Sequence, residues 1–157
     1  MSSTQDSDIA IAQVDAAIVR PLRREILRPG QPAEQLVYPG DDDPGTLHLA
    51  ASRHGGDEWP LIGIVSAMPD GYPNSSMAGD WRIRGMAVLP AERNRGIGGR
   101  LLELCEQHAR RQAGRRLWCN ARIDARSLYE RIGMGIEGEV YEIPGIGLHY
   151  LMSKLLD

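Results

Sequence analysis

The residues from Trp81 to Leu102, WRIRGMAVLPAERNRGIGGRLL, hold the densest set of groups in the chain that could bind an anion. An apolar run from Ile83 to Leu89, broken only by Arg84 and Gly85, leads through a short turn into Arg93-Asn94-Arg95-Gly96-Ile97-Gly98-Gly99-Arg100 and then into residues with helical periodicity. A strand, a glycine-rich turn and a helix start in that order aim successive backbone N–H groups at one place, where phosphate oxygens are suitable acceptors. Gly96, Gly98 and Gly99 remove the Cβ atoms that would keep a ligand away from the backbone. Arg93, Arg95 and Arg100 add guanidinium forks that match phosphate. A tight turn with solvated arginines is the plainer reading of the same residues.

The elements that would position this stretch follow from periodicity and turn signals. Met1 to Ser7 are small and polar and are expected to form a mobile tail. Ile9, Ile11 and Val14 nearly alternate, as in an edge strand, and Asp15 can cap a helix to about Leu27 with an Ile18, Leu22, Ile26 stripe. Pro21 must sit in that helix's first turn or kink it. Gln31 to Gly45 reads as a long loop, then Thr46–Ser52 and Leu61–Met68 as strands joined near Gly55-Gly56. The helix after the glycine turn carries Ile97, Leu101, Leu104, Cys105 and Ala109 on one side and ends at Gly114.

Leu117 to Ala121 reads as a buried strand. Asp124 can cap a short helix, Ala125 to Ile132, closed by Gly133, and Glu137–Ile143 with His149–Leu155 form a hairpin around Pro144 to Gly147. The expected class is α/β (α+β), in a single domain over 1–157: a mixed, mostly antiparallel sheet with a central parallel βαβ crossover.

Composition narrows the function classes. A chain of 157 residues fits one domain, and 18 Lys plus Arg against 21 Asp plus Glu leaves a net charge of -3, which suits neither a nucleic-acid nor a membrane binder. An arginine-rich nucleic-acid site would need the aromatic platform that is missing near Arg93, Arg95, Arg100, Arg110, Arg111, Arg115 and Arg116. Cys105 and Cys119 lack metal-ligand spacing, so reduced thiols in a cytoplasmic protein, and no metal, are expected. The first residues have neither a basic region nor an apolar core, unlike a signal peptide, and no run reaches membrane-spanning length.

Arg93-x-x-Gly96-x-Gly98, placed after Met-Ala-Val-Leu-Pro and before Arg-Leu-Leu, resembles the acetyl-coenzyme A signature of the GNAT-type N-acetyltransferases. Asn120-Ala121-Arg122 followed by Ala125-x-x-x-Tyr129-x-x-x-Gly133-Met134 is similar to that family's second conserved motif. The order of elements from Thr46 to Leu156 fits as well. The resemblance implies the GNAT fold with splayed central strands, acetyl-CoA as co-substrate, and transfer of its acetyl group to the primary amine of a small-molecule or peptide acceptor. By that likeness Met86, Ala87 and Val88 offer main-chain groups to the cofactor, and Asn94 to Arg100, Ile97 included, cradle its pyrophosphate. Tyr129 corresponds to the tyrosine beside the coenzyme A sulfur, a general acid for the leaving thiolate.

Asn120 either orients the cofactor or makes an ordinary strand-end hydrogen bond. The base is open: Arg82 and Arg84 stand where some members place a glutamate, which leaves His149, His48, Glu139, Glu142 or an ordered water chain. Arg84 could bind a carboxylate of the acceptor or pair with a structural Asp or Glu. Asp41-Asp42-Asp43 is expected to be a solvated charge run, and Trp59, Trp81 and Trp118 packing residues. A non-catalytic acyl-CoA-binding sensor is the alternative to an enzyme, and a homodimer is the oligomer to look for.

Overall fold

In the computed structural model, which describes residues 9–32, 36–53 and 60–156, every strand joins one seven-stranded sheet. The strands are β1 (Ile9–Gln13), β2 (Leu47–Arg53), β3 (Leu61–Pro69), β4 (Asp80–Val88), β5 (Arg116–Arg122), β6 (Gly135–Ile143) and β7 (Gly147–Leu155). The helices are α1 (Ala16–Leu22), α2 (Ile97–Arg111) and α3 (Arg126–Arg131). Strand order is β1-β2-β3-β4-β5-β7-β6, with β4–β5 parallel and the other pairs antiparallel. This is the expected mixed sheet, with α2 as the crossover. The expected tail and the Gly55-Gly56 turn, together with Trp59, lie outside the described residues.

Two apolar layers cover the sheet. On one face Leu101, Leu102, Cys105 and Ala109 of α2 pack on Ile62, Val65, Ile83, Leu117 and Cys119. On the other, Val19 and Leu22 of α1 meet Ala50, Ile64 and Ala87. Adjacent residues of β3 thus serve opposite layers, as strand periodicity requires. In α2, Leu102 is fully buried and Leu104 only partly, a one-residue rotation of the expected stripe.

The first helix departs most from expectation. Ile18 is 46% exposed, and the buried positions are Ala16, Val19, Leu22 and Arg23. Pro21 sits past the first turn, where it has no N–H for the ladder and crowds the preceding carbonyl. The chain relieves this by widening: Arg23–Leu27 is a π-helical turn, closed by the Arg28 N–H on the Arg23 carbonyl at 3.1 Å. Asp15 occupies the N-cap position of α1 but makes no side-chain cap bond, and Asp124 makes none for α3, which a 3-10 turn at Ile123–Ala125 precedes. Gly133 does close α3, at φ +93°, while the Met134 N–H bonds to the Tyr129 carbonyl.

The widened turn carries Arg23 into the interior. Its guanidinium is fully buried and donates to both Asp41 carboxylate oxygens at 2.8 and 3.0 Å, to the Leu36 carbonyl at 2.8 Å and to Ser66 Oγ at 2.9 Å. Asp41 is therefore not part of a solvated run; Asp42 and Asp43 remain exposed. Burial alone would raise the Asp41 carboxyl, but the Arg23 bonds and the Tyr38 N–H outweigh it and hold it below the ordinary value.

Asp41→Ala would leave the Arg23 charge buried and unanswered, and is expected to lower stability to urea by about 3–5 kcal/mol. Because the folded carboxyl titrates below the unfolded one, the pair's contribution is complete above about pH 5 and is lost as pH falls through the depressed folded value. An Asp41→Ala stability deficit that is the same at pH 3 and pH 7 would contradict this account.

Candidate functional site

Between β4 and β5 the sheet is open. The two strands pair only at Asp80–Arg116, Trp81–Leu117 and Arg82–Trp118, after which Ile83 to Val88 pairs with β3 alone. The cause lies inside β4. Ile64 of β3 faces Ala87 while Ser66 faces Arg84, so Gly85 and Met86 together stand opposite Val65. That is a β-bulge, with Gly85 at φ +61° supplying the left-handed residue it needs. A bulge bends its strand, and here it separates β4 from its parallel neighbour. A Cβ at Gly85 would also lie 3.0 Å from Arg23 Nε and 3.3 Å from the Tyr38 ring. The glycine that breaks the apolar run in the sequence is the local signal of this bulge.

A cavity of about 1160 Å³ fills the opening. Met86, Ala87 and Val88 line it, as do Asn94, Gly96 to Arg100, Asn120 and Tyr129. At the glycine turn Asn94 (φ +66°) and Gly96 (φ +80°) reverse the chain into α2. Arg100 is the first residue to close the helical ladder, onto the Gly96 carbonyl at 3.1 Å, so the N–H groups of Ile97, Gly98 and Gly99 have no intrahelical acceptor. A Cβ on Gly98 would sit 3.0 Å from Met86 Cε and 3.1 Å from Leu128 Cδ1, and would close the cleft there. The turn can hold an anion through its amides and the helix dipole.

The three arginines of the turn separate. Arg100 is exposed at the cavity rim. Arg93 lines it and donates from Nε to the Val88 carbonyl at 3.2 Å. Arg95 instead pairs with Glu92 at 2.8 Å, which also binds Arg53. This network holds the Glu92 carboxyl below its ordinary value.

Tyr129 is buried against the cavity, and no acceptor meets its hydroxyl among the described residues. Burial raises its phenol well above the ordinary 10. It is thus a proton or hydrogen-bond donor that does not ionise near neutrality, a stronger condition than the ordinary phenol expected.

His149 also lines the cavity, and its Nδ1 lies 2.8 Å from the Gly147 carbonyl. A carbonyl only accepts, so Nδ1 carries a proton, and in the neutral ring the lone pair is on Nε2. The ring stacks on Tyr141 at 6.2 Å, and the Tyr141 hydroxyl donates to Asn120 Oδ1. Tyr141, which sequence reasoning passed over, therefore steadies both residues; no local pattern marks it, since the contacts cross from β6 to β5 and β7.

His48 belongs elsewhere, with Nδ1 on Ser66 Oγ at 2.6 Å and Nε2 on the Asp41 carbonyl at 2.9 Å. Glu139 and Glu142 are exposed on β6, away from the cavity. Arg84 does line the cavity. Its guanidinium carbon lies 4.2 Å from the Tyr38 ring centre, and no Asp or Glu pairs with it among the described residues.

The acetyltransferase (GNAT) family model matches residues 17–134. The chain belongs to that family. It is 36% identical over 135 residues to YitI of Bacillus subtilis (strain 168), an uncharacterized N-acetyltransferase, in a match spanning 86% of this chain and 88% of that protein. Its fold is similar to that of a GNAT acetyltransferase from Streptococcus pneumoniae, at TM-score 0.69 and 20% identity over 96% of this chain and 100% of that one. Arabidopsis thaliana NAA60, solved in complex with acetyl-CoA, gives a TM-score of 0.70 at 18% identity over 94% and 98% of the two chains. As a GNAT acetyltransferase, the chain is an acyltransferase enzyme.

A GNAT enzyme could in principle pass its acyl group through cysteine, and the two thiols argue against that here. Cys105 and Cys119 are buried, which pushes each thiol up to about 12. Neither is expected to react with a thiol-titrating disulfide reagent at pH 8 in the native protein, and both should react in denaturant. Rapid modification of one thiol in the native protein would reopen a covalent route.

Proposed function

We propose that the protein transfers the acetyl group of acetyl-CoA to the primary amine of an acceptor by direct attack in a ternary complex. The observation that carries the reading is the open edge of β4, which brings free strand backbone, the glycine turn and Tyr129 onto one cavity. Its volume exceeds the roughly 300–1,000 Å³ of a single small-molecule site, which leaves space for two reactants. Coenzyme A supplies an activated thioester and an anionic pyrophosphate handle.

The residues divide the work by position. The Ile97, Gly98 and Gly99 amides receive the pyrophosphate, and Arg93 and Arg100 lie at the same end to add charge. Met86 to Val88 lend the unpaired edge of β4 to an extended pantetheine arm, as a sheet edge accepts an added strand. A main-chain N–H of that edge polarises the thioester carbonyl and stabilises the developing oxyanion. Asn120, its amide oxygen held by Tyr141, has its NH2 left to orient the arm. Tyr129 donates to the departing sulfur. His149 Nε2, its lone pair directed by the Nδ1–Gly147 bond, takes the proton from the attacking amine, directly or through water.

Acetyl-CoA should raise the melting temperature; no shift at millimolar concentration would remove the reading. Gly99→Asp separates binding from folding, because a Cβ at Gly99 meets nothing within 4 Å. A carboxylate in the first turn favours the helix dipole yet repels the pyrophosphate. The free variant should melt at or slightly above the parent temperature, with affinity for acetyl-CoA reduced about tenfold or more.

Tyr129→Phe should cut kcat by about 10²- to 10⁴-fold while the acetyl-CoA melting shift persists. Because burial holds the phenol protonated beyond its ordinary range, the parent's kcat/KM should show no descending limb from this residue up to about pH 10. Tyr129→Phe with parental turnover would strip the residue of its role as acid. His149→Gln should lower kcat while the acetyl-CoA melting shift persists, and parental turnover would pass the base role to water.

A further inference from the structure

The cavity is also lined by cations that no carboxylate pairs with among the described residues. Arg84 of β4 and Arg28, at the end of the π turn, both line the cavity, and neither has an ion-pair partner among the described residues. Asp70, whose field reaches Arg84, is taken by Arg82 at 3.1 Å. Arg122, at the end of β5, gives one N–H to the Leu27 carbonyl at 2.8 Å and meets no acid there. The carboxylates that do line the cavity, Glu92, Glu103 and Asp124, come from the turn before α2, from α2 itself and from the approach to α3.

Arg84 is costly to keep in this state. It is half-buried, burial foremost and Arg82 next pull its guanidinium down to about 10, and that group lies over the Tyr38 ring. That ring is itself fixed by Arg23, 3.9 Å from its centre. The guanidinium is therefore held in place, with its donors unspent, beside the cavity.

The phosphates of a donor cannot satisfy it. Arg84 precedes Val88 by four residues, about 13 Å of strand at ~3.3 Å each, and the glycine turn lies beyond Val88. It precedes Met86 by two, about 7 Å, within reach of a carboxylate a few bonds from an attacking amine.

We infer that the acceptor is an amino-acid-type amine, whose carboxylate is received by Arg84 as a bidentate pair with Arg28 as a second cation lining the same cavity. The inference rests on the acetyl-transfer reading above and adds the chemical class of the acceptor. Arg84 is a specificity-determining residue in this account: it holds the carboxylate so that the amine faces the open edge of β4.

The test compares L-amino acids with their primary amides as acceptors, following thiol release from acetyl-CoA. At least one amino acid is expected to exceed its amide in kcat/KM by about 10- to 100-fold, the effect of one charged hydrogen-bonded pair. Arg84→Gln should raise KM for that amino acid by a similar factor and bring the acid-to-amide ratio close to one. The acetyl-CoA KM and melting shift should stay parental, which also shows that the variant is folded, and Arg84→Lys should recover part of the loss.

Equal rates for acid and amide would overturn the inference and leave the donor reading standing. So would no acetylation of any amino acid while acetyl-CoA still stabilises the protein, or faster turnover of O-phosphoethanolamine than of every amino acid. Absence of any acetyl-CoA melting shift would instead remove the donor reading, and the inference with it.

Discussion

A guanidinium with no access to water sits beneath the working edge of the sheet, and much of the site's shape follows from keeping it there. Arg23 must be matched by an opposite charge and by acceptors, because an isolated buried cation costs far more than any single packing contact returns. The partners come from two places: Asp41, Leu36 and the Tyr38 ring at 3.9 Å from the loop after the first helix, and Ser66 from β3. Satisfying one side chain thus ties residues 36–41 to the sheet, beside the buried side chains of Leu36 and Tyr38. His48 extends the same network from β2, bridging Ser66 Oγ and the Asp41 carbonyl. One donor, Arg23 Nε, has no acceptor among the described residues, and it lies 3.0 Å from where a Cβ on residue 85 would stand.

That last contact joins the buried network to the split between β4 and β5. Gly85 is constrained twice, by a positive φ that the bulge demands and by the arginine packed under it. A strand continuing straight past Arg82 would pair with β5 along its length and leave no open edge. The bulge prevents this, and the cavity occupies the resulting gap. Stability and function therefore meet in a few residues: Pro21 widens the helix, the widened turn carries Arg23 inward, and Arg23 with Tyr38 lies against the glycine at which the central strand bends.

How much of this could be read in the residue order depends on the range of the interaction. The strand, glycine turn and helix from Trp81 onward are contiguous, and their spacing alone indicates backbone amides converging on an anion. The alternation of β2 and β3 and the Gly133 helix stop are equally local. Asp41 reads as one of three adjacent acids until a helix some twenty residues earlier delivers an arginine to it, and nothing near Ile18 shows that Val19 takes its place beside Leu22 on the apolar face. The capping expectation for Asp124 failed for a related reason. The chain enters α3 through a 3-10 turn, so the acid stands inside that turn instead of at the cap.

The two ends of the cavity differ in the same way. The end proposed for the donor is built of main-chain groups, and main-chain geometry is written into a short run of glycines, so it is visible in one stretch. The opposite wall is built of side chains from the π turn, the loop at Tyr38, β4, β5 and β7, each brought in by tertiary packing. Exchanging Arg84 or His149 would alter charge and reach on that wall without touching the glycine turn or the bulge. A fold arranged like this can keep the glycine turn while the opposite wall changes residue by residue, because the two are specified by different parts of the chain.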